Sequence, residues 1–268
     1  MRISEPAPAK LNLALHVRGK LPDGRHALET VFAFCTDGDK LEAEPAETLS
    51  LEVGGPFADA VPADEHNLVW WAARGLRGAA KIHKGVKLHL TKKLPVASGI
   101  GGGSADAAAA LRLLTRLWNL DPAHASSVAE ELGSDVPACL LSMTARGEGA
   151  GNQLQLFNDP SIAGTAVLLV NPGMPLSTRD VFAAWGGVDG GPLDDWRKGR
   201  NDLEGLARAL VPAIGEVLEW LQQREGANFV RMSGSGATCF ALFDSEEARD
   251  ASATECPSNW WHLATFLR

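Results

Sequence analysis

A glycine-rich run between Leu94 and Asp106 carries the clearest chemical signal in the sequence. It reads Leu-Pro-Val-Ala-Ser-Gly-Ile-Gly-Gly-Gly-Ser-Ala-Asp, and a segment dense in Ala, Leu and Arg follows it as far as Trp118. Glycine has no side chain and adopts positive φ readily, so backbone N–H groups can close around a phosphate. The N-terminus of a following helix adds unpaired N–H groups and a partial positive charge. The pattern predicts a site for the phosphates of a nucleotide.

This glycine-rich run matches neither of two common nucleotide signatures. A P-loop needs Gly-Lys-Ser or Gly-Lys-Thr after four spacer residues, and no lysine follows these glycines. A dinucleotide fingerprint needs a glycine in sixth place, where Ser104 or Asp106 stands instead. A flexible linker or a plain helix cap is the alternative. The good helix formers directly after the glycines favour phosphate binding over that alternative.

Three other segments hold polar residues that could do chemistry. Lys10 and Asn12 lie two apart on a predicted strand, so their side chains share a face. Asp135 stands in the otherwise apolar stretch Leu-Gly-Ser-Asp-Val-Pro, and a turn of small residues covers 233–237. Each segment has a plain alternative: a solvent-facing pair, a helix cap or a tight turn. The residues alone leave those alternatives open.

The elements that must position these residues follow from periodicity and turn signals. Strands are predicted over 11–17, 30–34, 86–92, 165–170, 229–232 and 238–243, with further strands within 40–53. Helices are predicted over 67–78, 105–118, 122–132, 203–210 and 214–223. Turns are expected at 21–24 and 37–39, and an exposed loop at 186–199. Strands and helices in this mixture predict an α+β fold.

Composition narrows the function classes. The chain has 268 residues, is 45% hydrophobic and carries a formal net charge of −8, which argues against a nucleic-acid or membrane-surface role. No apolar run is long enough to cross a bilayer, and the first residues lack the apolar core of a signal peptide. The four cysteines and seven histidines show no ligand spacing, so no protein-bound metal site is predicted. Scattered cysteines of this kind are expected to be reduced, buried thiols of a cytoplasmic protein.

The segments together resemble the GHMP kinases, the superfamily of galactokinase, homoserine kinase, mevalonate kinase and phosphomevalonate kinase. That superfamily has a Lys/Asn strand motif, a Gly-Gly-Gly-Ser phosphate loop and a C-terminal Gly-Ser-Gly motif. Segments 8–17, 21–32, 132–137, 201–204 and 231–238 are similar, in order, to the kinases that act on 4-diphosphocytidyl-2-C-methyl-D-erythritol. The resemblance implies a two-domain fold, with a ribosomal-protein-S5-like domain over 1–158 and a ferredoxin-like domain over 159–268.

The resemblance also implies an activity and its residues. The γ-phosphate of ATP would move to the 2-hydroxyl of the cytidyl substrate, with Mg²⁺, in the non-mevalonate route to isoprenoid precursors. Asp135 would be the general base and Lys10 its cationic partner. Ser104 would reach a phosphate or Mg²⁺, and Asn67 would lie near the adenine. The ATP loop would comprise Pro95, Val96, Ala97, Ser98, Gly99, Ile100, Gly101, Gly102, Gly103, Ser104 and Ala105.

Recognition of the substrate is implied at a second set of positions: Asn12, Arg25, His26, Phe182, Gly234 and Ser235. Asn12 would position the acceptor, and Gly234 and Ser235 would close near the phosphates. His26 would hydrogen-bond the cytosine and Phe182 would stack on it, although core packing is the alternative for Phe182. The family pattern has a Tyr before the His, where this chain has Arg25, whose guanidinium can also stack on a base.

The expected partner is a small molecule, with no nucleic acid and no membrane, and the expected state is a monomer or weak homodimer. Three other functions remain open from the sequence. A related kinase could act on homoserine or a mevalonate-type alcohol. An inactive nucleotide-binding protein would have no chemical need for both Lys10 and Asp135. An RNA- or DNA-binding module would need a basic stripe that the sequence lacks.

Overall fold

The computed structural model describes residues 2–268, which form a mixture of strands and helices. The strands are β1 (Ile3–Lys20), β2 (His26–Ala46), β3 (Leu49–Gly54), β4 (Gly85–Thr91), β5 (Ala145–Glu148), β6 (Gln153–Leu156), β7 (Ala166–Asn171), β8 (Ala227–Met232), β9 (Cys239–Phe243) and β10 (Trp261–Phe266). The helices are α1 (Leu68–Ala79), α2 (Gly102–Trp118), α3 (Pro122–Leu132), α4 (Val136–Leu141), α5 (Thr178–Ala183), α6 (Glu204–Leu210), α7 (Ala213–Gln222) and α8 (Glu246–Thr254). A 3-10 turn covers Ala58–Ala60. The α+β expectation is confirmed.

The chain divides into two compact units, each built from separate stretches of sequence. The first unit contains the residues up to Ala9, Asp37–Val96 and Gly101–Ser142. The second contains Lys10–Thr36, Ala97–Ile100 and Met143–Arg268. Strands β1 and β2 therefore contribute residues to both units. The boundary between residues 158 and 159 stays a prediction.

In the first unit, β4 lies between β3 and the later part of β2. β3 runs parallel to β4, while β2 runs antiparallel to it from Lys40 opposite Thr91. Val86, Leu88 and Leu90 of β4 are fully buried, which confirms the strand predicted from their alternation. α2 packs against α1, α3 and α4. The apolar faces of strand and helices together form the core of this unit.

Helix α2 starts three residues earlier than predicted, directly on the glycines. Gly101, in the left-handed region at φ 67°, precedes the first helical residue, Gly102. The helix buries most of its Ala and Leu side chains and ends at Asn119, which is also left-handed at φ 55°. Gly102 and Gly103 join the helix that the following Ala and Leu residues favour, and the left-handed Gly101 directly before them sets its start.

The second unit holds a four-stranded antiparallel sheet in the order β10–β7–β9–β8. β7 is buried at every position, as the apolar run 165–170 predicts. α7 packs on β7, β8 and β9, and its Ile214 and Leu221 are fully buried. The early part of β2 pairs with β5, and β5 pairs with β6. The turn predicted at 21–24 is confirmed by the hydrogen bond from the Leu21 N–H to the Arg25 carbonyl, 2.8 Å.

The turn predicted at 37–39 is wrong, because β2 continues through these residues as far as Ala46. A side chain at Gly38 would lie 2.1 Å from the Ala7 carbonyl oxygen, so glycine is there for close contact between strands. Asp39 is buried and accepts hydrogen bonds from the N–H groups of Lys93 and Leu94. Contacts with residues distant in sequence explain both Gly38 and Asp39, although a glycine and an aspartate side by side are also typical of a turn.

Local sequence patterns did not predict the short strands β5, β6 and β10 or the helices α4, α5 and α8. The loop predicted at 186–199 is present, yet Leu193 and Trp196 within it are buried. Arg18 pairs with Asp189, and Glu29 accepts from the Leu193 N–H at 2.6 Å, so polar contacts hold this loop. Three cysteines, Cys35, Cys139 and Cys239, are buried. Within residues 2–268, no helix combines the length and the apolar character that crossing a membrane requires.

Candidate active site

Lys10 and Asn12 form a buried polar network in the second unit. They are 2% and 3% exposed, which removes the alternative of a solvent-facing pair. The Lys10 Nζ donates to Asn12 Oδ1 at 2.9 Å, and Asn12 Nδ2 donates to Thr30 Oγ1 at 2.8 Å. Thr30 in turn donates to the Ala14 carbonyl at 2.6 Å. The ammonium group is therefore held in one place by an ordered chain of hydrogen bonds.

The same network reaches the glycine-rich run through Ser233. The Asn12 N–H donates to Ser233 Oγ at 3.2 Å, and Ser233 Oγ donates to the Gly99 carbonyl at 3.0 Å. Gly99 has φ 78°, and a Cβ there would lie 2.5 Å from the Ser233 carbonyl oxygen. Glycine at position 99 is thus required by close backbone packing in addition to its conformation.

The small-residue turn at 233–237 is positioned by Asn201. Its Nδ2 donates to the carbonyls of Met232 and Gly234, both at 2.8 Å. Gly234 has φ 56°, and a Cβ there would lie 2.8 Å from the Gly99 carbonyl oxygen. Ser235 exchanges a hydrogen bond with Thr178 at 2.8 Å. The second unit thus brings Lys10, Asn12, residues 97–100 and this turn together.

In the first unit, the N-terminus of α2 presents backbone donors. The first helical hydrogen bond runs from the Ala105 N–H to the Gly101 carbonyl at 2.8 Å. The N–H groups of Gly102, Gly103 and Ser104 precede that bond, so they have no partner within the helix. A Cβ at Gly103 would contact only Leu68, at 3.6 Å. This helix end has the donors and the dipole that an anionic phosphate needs.

Asn67 and Asp135 each precede a helix in the first unit, but only the Asn67 side chain caps its helix. Asn67 caps α1: its side chain accepts from the Val69 N–H at 2.9 Å and donates to the Pro62 carbonyl at 2.7 Å. Asp135 occupies the cap position of α4, but its side chain makes no capping hydrogen bond. The plain capping alternative therefore does not explain an aspartate at 135.

The residues expected to recognise cytosine lie in the second unit. The His26 ring centroid is 4.8 Å from that of Phe182 and 5.4 Å from that of Trp185, which it meets edge-on. His26 Nε2 is buried and has no hydrogen-bond partner among the described protein atoms. Burial, with a smaller contribution from Lys20, lowers the pKa of His26. Burial therefore favours the neutral ring, and its Nε2 is left without a partner in the described part of the protein.

Arg25 does not join this aromatic group in the structure. Its guanidinium pairs with Asp23, with Nε 2.8 Å from Asp23 Oδ2, and its side chain is 51% exposed. Trp185, which the sequence analysis did not single out, contacts His26 instead. Trp185 follows Phe182 by three residues, and this spacing was the signal in the sequence that could have placed the two rings near each other.

A second buried group was also missed, in the first unit. Lys92 lies between Asp39 and Asp106, and all three side chains are almost fully buried. Burial raises the pKa of Asp106, to about 8. Burial alone would lower the pKa of Lys92, but the two carboxylates outweigh it and raise that pKa. Lys92 follows Val86, Leu88 and Leu90 at the two-residue period of a strand, so the alternation itself placed it on the buried face, and this was the available signal.

Comparisons with known proteins identify both halves of the chain. Residues 67–143 match the family described as GHMP kinases N terminal domain, and residues 192–260 match GHMP kinases C terminal. A 4-diphosphocytidyl-2-C-methyl-D-erythritol kinase of Rhizorhabdus wittichii is 48% identical, covering 100% of this chain and 96% of the relative. The enzyme of that name from Novosphingobium aromaticivorans is 49% identical, covering 100% and 94%.

Solved structures agree with these relatives. A crystal structure of 4-(cytidine 5'-diphospho)-2C-methyl-D-erythritol kinase superposes with a TM-score of 0.85 at 31% identity, covering 100% of this chain and 99% of that one. Homoserine kinase from Cytophaga hutchinsonii superposes at 0.74 with 18% identity, over 99% and 95%, which shows the fold alone. The expected two-domain GHMP kinase fold is confirmed. Because relatives with nearly half of their residues identical cover its whole length, this chain belongs to the 4-diphosphocytidyl-2-C-methyl-D-erythritol kinase family of GHMP kinases.

Proposed function

We propose that the chain moves the γ-phosphate of ATP to the 2-hydroxyl of 4-diphosphocytidyl-2-C-methyl-D-erythritol, with Lys10 and Asp135 doing the chemistry. The products are the 2-phosphate and ADP, in the non-mevalonate route to isoprenoid precursors. One observation carries the proposal beyond family membership. The ammonium of Lys10 is buried and bonded to Asn12, whose backbone is linked through Ser233 to the glycine-rich run.

The acceptor is a poorly acidic tertiary alcohol, and the donor is highly charged. Catalysis must therefore take up a proton and balance negative charge in the transition state. We assign the proton to the carboxylate of Asp135, whose side chain is not used as a helix cap. Lys10 stabilises the charge on the transferring phosphoryl group or the developing alkoxide. Asn12 holds Lys10 and positions the acceptor.

The triphosphate is assigned to the glycine-rich run from Pro95 to Ala105, where the N-terminus of α2 presents backbone donors. Among residues 2–268 no group of three or more His, Cys, Asp or Glu side chains could hold a metal ion. Mg²⁺ ordinarily binds through substrate phosphates with few protein groups, so we propose the half-buried Ser104 hydroxyl as its protein contact. When bound, Mg²⁺ neutralises phosphate charge. Asn67 is proposed to lie near the adenine.

The cytidine end is assigned to His26, Phe182 and Trp185. A neutral His26 offers one ring nitrogen to the base, and Phe182 supplies a stacking surface. We propose Trp185 as a second aromatic at this end, since it lies against His26 while Arg25 is paired with Asp23. Gly234 and Ser235 are proposed to close near the phosphates.

The test of the substrate is ATP consumption by the purified protein with Mg²⁺ and one of three alcohols. Turnover with the cytidyl substrate alone is the expected result. Turnover with homoserine or mevalonate would keep the kinase and reject the substrate. Absence of turnover with all three, together with tight ATP binding, would support a nucleotide-binding protein without catalysis.

Gly103→Ala is expected to weaken ATP binding without weakening the fold. Alanine suits a helix better than glycine, and the added Cβ meets only Leu68 at 3.6 Å. If the Gly103 N–H binds phosphate, the methyl group interferes with a charge-assisted bond, and affinity falls about 10-fold or more. Calorimetric titration with a non-hydrolysable ATP analogue measures this.

The matched change Gly102→Ala separates the two effects of a new side chain. Its Cβ would lie 3.0 Å from Lys92 Nζ, so this variant should also lose thermal stability. If Gly103→Ala binds the analogue as tightly as the unchanged protein does, the phosphates do not contact the first turn of α2 at this position.

Replacing Trp185 with Leu is expected to raise KM for the cytidyl substrate about 10-fold and leave KM for ATP unchanged, because stacking of a base on an aromatic ring contributes about 1–3 kcal/mol. Phe182→Leu should act in the same way. Steady-state kinetics with each substrate varied in turn measure both. Trp220→Leu is the control, since Trp220 packs on Trp260 and should affect stability alone. Equal KM values for Trp185→Leu and the unchanged protein would remove Trp185 from the site.

We further propose that the protein is cytoplasmic and acts as a monomer or weak homodimer. Net charge of −8 and the small-molecule substrate support this proposal. Sedimentation at several protein concentrations tests the oligomeric state.

A further inference from the structure

The first unit contains a buried cluster of one lysine and two aspartates that no assigned role explains. Lys92 Nζ donates to Asp39 Oδ2 at 2.5 Å and to Asp106 Oδ2 at 2.7 Å. The side chains of Lys92, Asp39 and Asp106 are 2%, 0% and 3% exposed. In a buried ion pair, the free energy of removing each charge from water offsets much of the attraction between the two charges. A cluster of three therefore suggests a purpose other than stability.

Asp39 fixes the end of β4, where the glycine-rich run begins. Its Oδ1 accepts from the backbone N–H groups of Lys93 at 2.5 Å and Leu94 at 2.8 Å. Its Oδ2 holds the side chain of the preceding residue, Lys92. One carboxylate thus binds three successive residues. These bonds fix the direction of the backbone where it passes from β4 into the glycine-rich run.

Asp106 fixes the other end of the run, since it is the fifth residue of α2. Its bond to Lys92 ties the start of the helix to the end of β4. The ammonium also touches the first helical residue: a Cβ on Gly102 would lie 3.0 Å from Lys92 Nζ and 3.7 Å from Asp39 Oδ2. At Gly102 the ammonium is therefore closer than the Asp39 carboxylate.

This placement sets the distance and angle between the end of β4 and the N-terminus of α2, and so the directions of the N–H groups of Gly102 to Ser104. These N–H groups are the donors that an anion at the helix end would meet. The arrangement needs the link between Lys92 and Asp106.

We propose that the Asp39–Lys92–Asp106 cluster positions the N-terminus of α2 for the triphosphate of ATP, with Lys92 as the positioning residue. The inference rests on the proposed function, because it needs the phosphates to bind at that helix end. None of the three residues is placed in contact with substrate or with the reacting atoms.

The test compares Asp106→Leu with Asp106→Asn in the full-length protein. Both changes remove the carboxyl group of Asp106, leave the pair of Lys92 and Asp39 intact and nearly keep the side-chain size. Only asparagine keeps an oxygen that accepts from Lys92. Lys92 keeps its ion pair with Asp39 when Asp106 is replaced, so Asp106→Leu leaves no unpaired buried charge and is expected to fold.

The Kd of a non-hydrolysable ATP analogue with Mg²⁺ is expected to rise about 10-fold or more in Asp106→Leu, from the lost charge-assisted bond. KM for ATP should rise in parallel, with KM for the cytidyl substrate and kcat nearly unchanged. Asp106→Asn should bind the analogue almost as the unchanged protein does. A purely structural role would lower thermal stability and move all three kinetic parameters together.

Glu5→Gln is the control, because Glu5 ties the later part of α2 through Arg112 and Arg116, both at 2.6 Å. It should lower the melting temperature without changing the Kd. Equal Kd values for Asp106→Leu and the unchanged protein would overturn the inference while leaving the proposed function intact. Equal weakening by Glu5→Gln and Asp106→Leu would overturn it as well. If the unchanged protein did not bind the analogue, the proposed function and the inference would fail together.

Discussion

Asp135→Asn should lower turnover about 10²–10⁴-fold, the usual contribution of a general base. The amide has the size of the carboxylate but cannot take the proton of the acceptor hydroxyl. Because the Asp135 side chain makes no capping bond, α4 should keep its stability in the variant. Release of ADP measures turnover, and thermal unfolding and titration with an ATP analogue measure fold and binding.

Asp121→Asn is the matched control in the same unit. Asp121 caps α3 by accepting from the Ala123 N–H at 2.9 Å, and asparagine caps a helix equally well. This variant should turn over like the unchanged protein. Turnover within about tenfold of normal in Asp135→Asn would exclude a general-base role, whose loss costs at least about 10².

Lys10→Met should lower turnover about 10²–10³-fold, the typical loss when one preorganised group that stabilises transition-state charge is removed. Methionine keeps the length of the side chain and removes the ammonium. Since Lys10 donates to Asn12 Oδ1, its loss also leaves a buried acceptor short of one donor, at a cost of about 1–3 kcal/mol in unfolding free energy. Kinetics at saturating substrates, together with chemical denaturation, measure the two effects.

Thr30→Val separates loss of charge from loss of the network. Thr30 accepts from Asn12 and donates to the Ala14 carbonyl, so this variant should lose a similar amount of stability. The ammonium remains in Thr30→Val, and kcat should fall by much less than in Lys10→Met. Equal loss of kcat in both variants would show that integrity of the network, not the charge of Lys10, is what turnover requires.

Local patterns in the sequence were sufficient for much of the fold. The alternation over 86–92 and the apolar run at 165–170 predicted β4 and β7, and the Ala and Leu content predicted α2. Asp121 followed by Pro122 predicted the start of α3. These elements are determined by neighbours a few residues apart, through side-chain period, helix propensity and capping, so the chain alone contains the information.

Motifs and order along the chain were also sufficient for the family, because the resemblance rested on short segments in sequence. They did not determine the environment of the polar residues. Lys10 and Asn12 could have faced solvent, and Asp37 to Asp39 had the composition of a turn. In the structure Lys10 and Asn12 are buried, and residues 37–39 are part of a strand.

Tertiary structure alone decided these cases, because burial of a charged group depends on partners that are distant in sequence. Asn12 meets Ser233, which is 221 residues away, and Lys92 meets Asp39, which is 53 residues away. Trp185 similarly reaches His26 from another part of the chain. A lysine or aspartate is costly to bury unless such partners are in place, and residue type and spacing do not reveal where they are. The sequence by itself therefore determined the secondary structure and the family, whereas packing decided which charges are buried and what they hold in position.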